Sequence, residues 1–210
     1  MDIEEDHLKV KDIVGYILLI LILIIYITNR IKFKKNLPSL QNKHIPYEVS
    51  ILAKTSYIPE RRKKCIKLIR ENNYDVNYST CEDEFNLFLS ACFSGDRDLI
   101  EFMLTRGANI NTTNSYGDSP LYLFTYAYLT YGNDLDAFDT LIKAGCDINF
   151  PNKYGYTPLH LAAAKGNFKV TSKLLKYGAL PSIKNKAGIL PIQSAIAQGH
   201  KRIADLLSLF

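Results

Sequence analysis

Two unrelated landmarks in this chain keep one spacing. The prolines of Ser119-Pro120-Leu121-Tyr122, Thr157-Pro158-Leu159-His160 and Leu190-Pro191-Ile192-Gln193 stand 38 and then 33 residues apart. The leading glycines of Gly107-Ala108-Asn109-Ile110-Asn111, Gly145-Cys146-Asp147-Ile148-Asn149 and Gly178-Ala179-Leu180-Pro181-Ser182 are separated by the same 38 and 33. An earlier copy, Asn73-Tyr74-Asp75-Val76-Asn77, lies 34 residues before the first of these, with Asn73 in place of glycine. A period of this length means stacked supersecondary units, none of which can bury its apolar face alone.

The chemistry of one unit explains its residues. Thr157 can cap a helix that begins at Pro158, where the missing N–H of proline costs nothing and its φ is already helical. Leu159, Leu161, Ala162 and Ala163 supply an apolar side, and the small alanines allow close approach of a second helix. Gly166 ends the first helix, Val170, Leu174 and Leu175 belong to the second, and Gly178 offers the left-handed residue that stops it. The run Tyr154-Gly155-Tyr156-Thr157-Pro158-Leu159-His160-Leu161-Ala162-Ala163-Ala164-Lys165-Gly166-Asn167, closed by Leu174-Leu175-Lys176-Tyr177-Gly178-Ala179, resembles an ankyrin repeat almost residue for residue. The resemblance implies an all-α solenoid of helix-turn-helix units with short hairpin loops, running about 47–80, 81–114, 115–152, 153–185 and 186–210, with the first and last as caps. It also implies that His160 hydrogen-bonds between neighbouring units. The 115–152 unit departs from the pattern: its first helix continues through Leu123-Phe124-Thr125-Tyr126-Ala127-Tyr128-Leu129-Thr130-Tyr131 and adds the residues that lengthen the spacing to 38, so that this helix, or the loop after it, is expected to project.

The region before the repeats is of another kind. Residues 1–12 form an acidic leader; residues 13–29 contain IVGYILLILILIIYIT, without a charge; residues 30–46 form a basic linker; and 47–210 make up the repeat domain. A membrane span needs about 20 apolar residues, with about 17 as the lower end, so 13–29 is short but adequate if Arg30 snorkels. With no basic start and no small-residue cleavage site, it reads as an uncleaved single-pass anchor rather than a signal peptide. Lys9 and Lys11 precede it, whereas Arg30, Lys32, Lys34, Lys35 and Lys43 follow, which places the repeats on the cytoplasmic side. The net charge of +5 is local: between Asn29 and Glu71 there are 12 Lys/Arg against 3 Asp/Glu, and residues 81–210 hold 12 of each. Arg30, Lys32, Lys34 and Lys35, and the cluster Arg61, Arg62, Lys63 and Lys64, are therefore candidate contacts for anionic lipid. No motif for nucleic acid accompanies them.

Catalysis is not expected. Cys65, Cys81, Cys92 and Cys146 form no C-x-x-C pair and read as free thiols; His7, His44, His160 and His200 keep no nucleophile or carboxylate at diagnostic spacing. No metal, cofactor or small-molecule substrate is implied. The tyrosines are a better lead, because a phenol ring offers contact area with a polar tip at low entropy cost. In the ankyrin family partners are met by hairpin tips and the exposed side of the first helices, which here implicates Tyr116, Asp118, Phe150, Tyr154 and Tyr156, joined by Tyr126, Tyr128 and Tyr131 of the lengthened unit. Tyr122, standing where the motif has histidine, is expected in the core. The chain thus reads as a membrane-anchored module that binds another protein. A more specific alternative is an immunity protein neutralising a secreted toxin, and a further one is a pathogen or viral effector engaging a host protein.

Overall fold

The computed structural model describes residues 45–78, 85–132 and 135–210. They lie in one compact unit, Gln41–Phe210. The apolar segment 13–29, with Arg30, Lys32, Lys34 and Lys35, lies outside the described residues, as do His7, His44 and Cys81; among those that are described, no helix is long and apolar enough to cross a membrane.

The described secondary structure is helical, in five pairs: α1 (Tyr47–Lys54) with α2 (Pro59–Asn72), α3 (Leu87–Ser94) with α4 (Arg97–Thr105), α5 (Pro120–Tyr131) with α6 (Asp136–Lys143), α7 (Pro158–Ala164) with α8 (Phe168–Lys176), and α9 (Pro191–Ala197) with α10 (Lys201–Leu207). The first helices of the pairs pack in one continuous row, α1 on α3, α3 on α5, α5 on α7 and α7 on α9. The inner three, α3, α5 and α7, have neighbours on two sides and a partner behind and are largely apolar: α3 buries every residue except Phe93. The second helices are amphipathic, as helices covered on one side should be; α8 buries Val170, Thr171, Leu174 and Leu175 and leaves its lysines outside.

Side-chain caps start the helices where the sequence places them. Asn86, Asp96, Ser119, Thr157 and Asn167 each accept from a backbone N–H three residues on. The histidine of the motif is structural. Thr157 N–H donates to His160 Nδ1 at 3.2 Å, which leaves Nε2 as the donor to the Ile189 carbonyl of the next unit at 3.0 Å. His200 makes the same kind of bridge backwards, from Nε2 to the Ala164 carbonyl at 3.1 Å. Its ring occupies the space beside Gly166, where a Cβ would lie 2.5 Å from the imidazole. Asn73, the residue standing where later units have glycine, ends α2 in the left-handed region at φ 50°; asparagine is among the few non-glycine residues that tolerate it. Cys65, Cys92 and Cys146 are free and buried, and burial pushes all three thiols up.

The lengthened unit is resolved into a longer helix. α5 has 12 residues where α7 and α9 have 7. Its extra turn ends in the exposed Tyr131.

Candidate functional site

Each hairpin is held by an asparagine at a repeating position. Asn114 Oδ1 accepts from the backbone N–H of Tyr116 and Asp118; Asn152 Oδ1 accepts from Tyr154 and Tyr156; Asn185 Oδ1 accepts from Ala187 and Ile189. Adjacent hairpins are then joined, Lys153 N–H to the Tyr116 carbonyl at 2.9 Å and Lys186 N–H to the Tyr154 carbonyl at 3.0 Å. This close approach requires glycine at the tips. Gly155 has φ +82°, and a Cβ there would sit 2.6 Å from Lys186 N. The tyrosines that flank these glycines consequently project from a rigid, cross-bonded edge.

Between that edge and the first helices runs a groove of about 450 Å³, lined by Phe85, Phe93, Asn114, Tyr116, Asp118, Tyr122, Leu123, Tyr126, Asn152, Tyr154 and Tyr156. The rings are substantially open: Tyr116 is 49%, Tyr126 39%, Tyr154 58% and Tyr156 36% exposed. Tyr126 stacks on Phe93, the equivalent residue of the preceding unit, with centroids 6.2 Å apart and 22° between the planes. Phe93 also meets Tyr131 edge-on at 5.8 Å and Phe85 at 5.8 Å. It is the hinge between the groove and a second hollow of about 500 Å³ lined by Lys54, Thr55, Tyr57, Phe93, Ser94 and Tyr131. Aromatic surface thus continues from Tyr57 to Tyr154 across four units.

One carboxylate lies in this surface. Asp118 Oδ1 accepts from Asn152 Nδ2 at 2.9 Å and Oδ2 from Asn114 Nδ2 at 3.1 Å, which fixes the group between two hairpins. Burial, the Asp118 charge and the neighbouring phenols of Tyr156 and Tyr126 push the Tyr122 hydroxyl up to about 12, so it remains a donor at any physiological pH. Among the described residues no group of His, Cys, Asp or Glu could hold a metal ion.

Of the residues expected at a partner site, Tyr116, Asp118, Tyr126, Tyr154 and Tyr156 meet in the groove, and Tyr131 in the adjoining hollow. Two do not. Tyr128 is partly buried against the core, because it stands two residues after Tyr126 and so projects to the opposite side of α5. Phe150 is half-buried and lines a separate small hollow with Ile110, Ser119 and Cys146 rather than the groove. Tyr122, expected in the core, is only half-buried and lines the groove one turn from Tyr126. Among the basic residues, Arg62 is committed to the fold, paired with Asp96 at 3.1 Å and Asp98 at 3.0 Å, and Lys64 pairs with Glu48 at 2.6 Å. Arg61 and Lys63 are exposed on α2. Phe85 and Phe93 were not legible as site residues from the tyrosine pattern. The signal lay in the caps: Asn86 and Ser119 are 33 residues apart, and the same offset carries Phe93 onto Tyr126.

Comparison with known proteins agrees with this architecture. The family described as Ankyrin repeats (3 copies) matches residues 123–209. Those residues are similar to ankyrin repeats, and α1–α4 extend the same row of packed helices upstream of them. No curated protein matches the chain. Ankyrin repeats are typically non-catalytic scaffolds, and they point to a protein–protein interaction module.

Proposed function

We propose that this chain is a membrane-tethered ankyrin module that captures a protein partner in the aromatic groove between its hairpin tips and first helices. The observation that carries the reading is the set of open rings, Tyr116, Tyr126, Tyr154 and Tyr156, converging on one concavity with Phe93. Exposed contiguous aromatic surface of this kind marks interaction sites, and tyrosine is enriched among the residues that dominate binding energy. The tether is the apolar segment 13–29, and the repeats face the cytoplasm on the strength of the five basic residues that follow it against the two before. Exposed Arg61 and Lys63 would then add an electrostatic contact to anionic headgroups, without Arg62.

Site-specific photo-crosslinking tests the docking site. A benzophenone side chain placed at Tyr154, in the groove, should yield protein adducts from cells, whereas the same group at exposed Lys169 on α8 should not. Equal adducts from both positions would refute the groove as the docking site.

A further inference from the structure

Resting on that docking reading, we propose that the groove is a socket for an arginine side chain presented by the partner, the guanidinium lying over the tyrosine rings and donating to Asp118. The chemistry of the lining points there. Asp118 is the one charged residue among the groove's lining residues. Each of its oxygens accepts one hydrogen bond from an asparagine amide, and an ionised carboxylate has about four acceptor positions, so it can take more. Around it stand phenol rings, whose faces carry the negative side of the aromatic quadrupole. Burial of a bare carboxylate beside such faces is unfavourable when a partner closes over them, and a cation relieves it.

A second observation concerns how the rest of the chain treats its aromatics. Lys54 Nζ lies 4.8 Å from the Phe85 centroid, at the groove's own edge, and Arg202 lies 3.9 Å from that of Phe168. Phe102 is covered by Arg70 at 5.2 Å and Phe138 by Lys173 at 5.1 Å. Among the described residues the rings so covered are all phenylalanines, and the groove tyrosines Tyr116, Tyr126, Tyr154 and Tyr156 carry no such cation. Arginine suits the site better than lysine because a flat guanidinium can stack on a ring and still present N–H groups edgewise to a carboxylate.

The test uses the isotope-labelled full chain and four blocked pentapeptides, Gly-Ser-X-Ser-Gly, with X as arginine, glutamine, leucine or glutamate, followed by amide chemical shifts. The arginine peptide should shift Tyr116, Asp118, Tyr154 and Tyr156 and bind about tenfold more tightly than the glutamine peptide, which lies between the weight of an exposed and of a fully desolvated cation–π contact. Tyr154→Leu should abolish that preference and Tyr154→Phe should retain it; both lie at an exposed tip and leave the fold intact. Asp118→Asn should weaken the arginine peptide and flatten its salt dependence. If leucine or glutamine binds the groove as tightly as arginine, or if Tyr154→Leu leaves the preference unchanged, the cation socket is wrong while docking at the groove survives. If no peptide shifts these residues, the socket is equally wrong, and the crosslinking at Tyr154 decides separately whether a partner docks there at all.

Discussion

Position 156 trades stability for a tyrosine, and reversing the trade is a quantitative test. In the preceding unit the equivalent residue is Asp118, whose carboxylate accepts from Asn152 Nδ2 at 2.9 Å. In the next unit the equivalent donor, Asn185 Nδ2, is buried and has no hydrogen-bond partner among the described residues. Tyr156 stands where its acceptor would be. A buried donor left unsatisfied costs about 1–3 kcal/mol, and a bond to a charged acceptor contributes about 1.5–3 kcal/mol. Tyr156→Asp forfeits the partial burial of the ring and its edge-on contact with His160 at 5.7 Å, the contact alone worth about 0.5–1.5 kcal/mol. The balance favours the substitution by about 1 kcal/mol, or a rise in Tm of about 2–4 °C for a domain of this size. Thermal unfolding followed by circular dichroism at 222 nm measures it. Pairing it with Asn185→Asp supplies the control: with two carboxylates opposed, Tyr156→Asp should destabilise. A lower Tm for Tyr156→Asp with Asn185 intact would refute the reasoning, and so would a rise that persists beside Asn185→Asp.

Other substitutions follow from the same structure. Residues 45–210 should fold without the segment before them and unfold cooperatively, read by circular dichroism against urea. Leu174→Ala, at a fully buried site where α8 meets its neighbours, should lose about 2–5 kcal/mol in that assay. Gly155→Ala should lose about 1–3 kcal/mol, because alanine is strained at φ +82° and its Cβ would collide with Lys186 N. Burial holds the His160 pKa below its usual value, against the opposing hydrogen bond to Ile189. Its contribution is therefore complete above the unfolded value of about 6.5 and is lost as pH falls through the lower folded one. The urea midpoint should drop between pH 7.5 and 5.5, and less so in His160→Gln.

The fold was legible because each unit carries its own punctuation. Thr157-Pro158 and Ser119-Pro120 announce helix starts, Gly166 and Gly178 announce stops, and the alanines of α7 admit close neighbours. The site was legible in part. Tyr154 and Tyr156 flank a glycine whose turn geometry makes them project, so their exposure followed from local sequence. Tyr128 did not follow, since a run of tyrosines in α5 declares aromatic content but not which ring faces outward; the helical period assigns it inward once the register of Tyr122 and Tyr126 is set. The pairing of Arg62 was not legible, because its partners, Asp96 and Asp98, are 34 and 36 residues away in sequence and meet it only through stacking. Phe93 escaped for the same reason: its role depends on the ring above it.

The central claim, that a protein docks on the tyrosine groove, is tested most directly by measuring affinity and stability together on one variant. The partner crosslinked at position 154 would be titrated against the wild-type chain and against the double variant Tyr154→Ala, Tyr156→Ala, with Tm recorded on the same samples. Loss of two aromatic anchors should weaken binding by about 1–4 kcal/mol, from about fivefold to nearly a thousandfold, with Tm lowered only by the few degrees that the Tyr156 contact with His160 accounts for, which Tyr154→Ala alone, at a more exposed ring, should not show. Unaltered affinity accompanied by a lower Tm would show that the rings serve only the fold, and the account would be wrong.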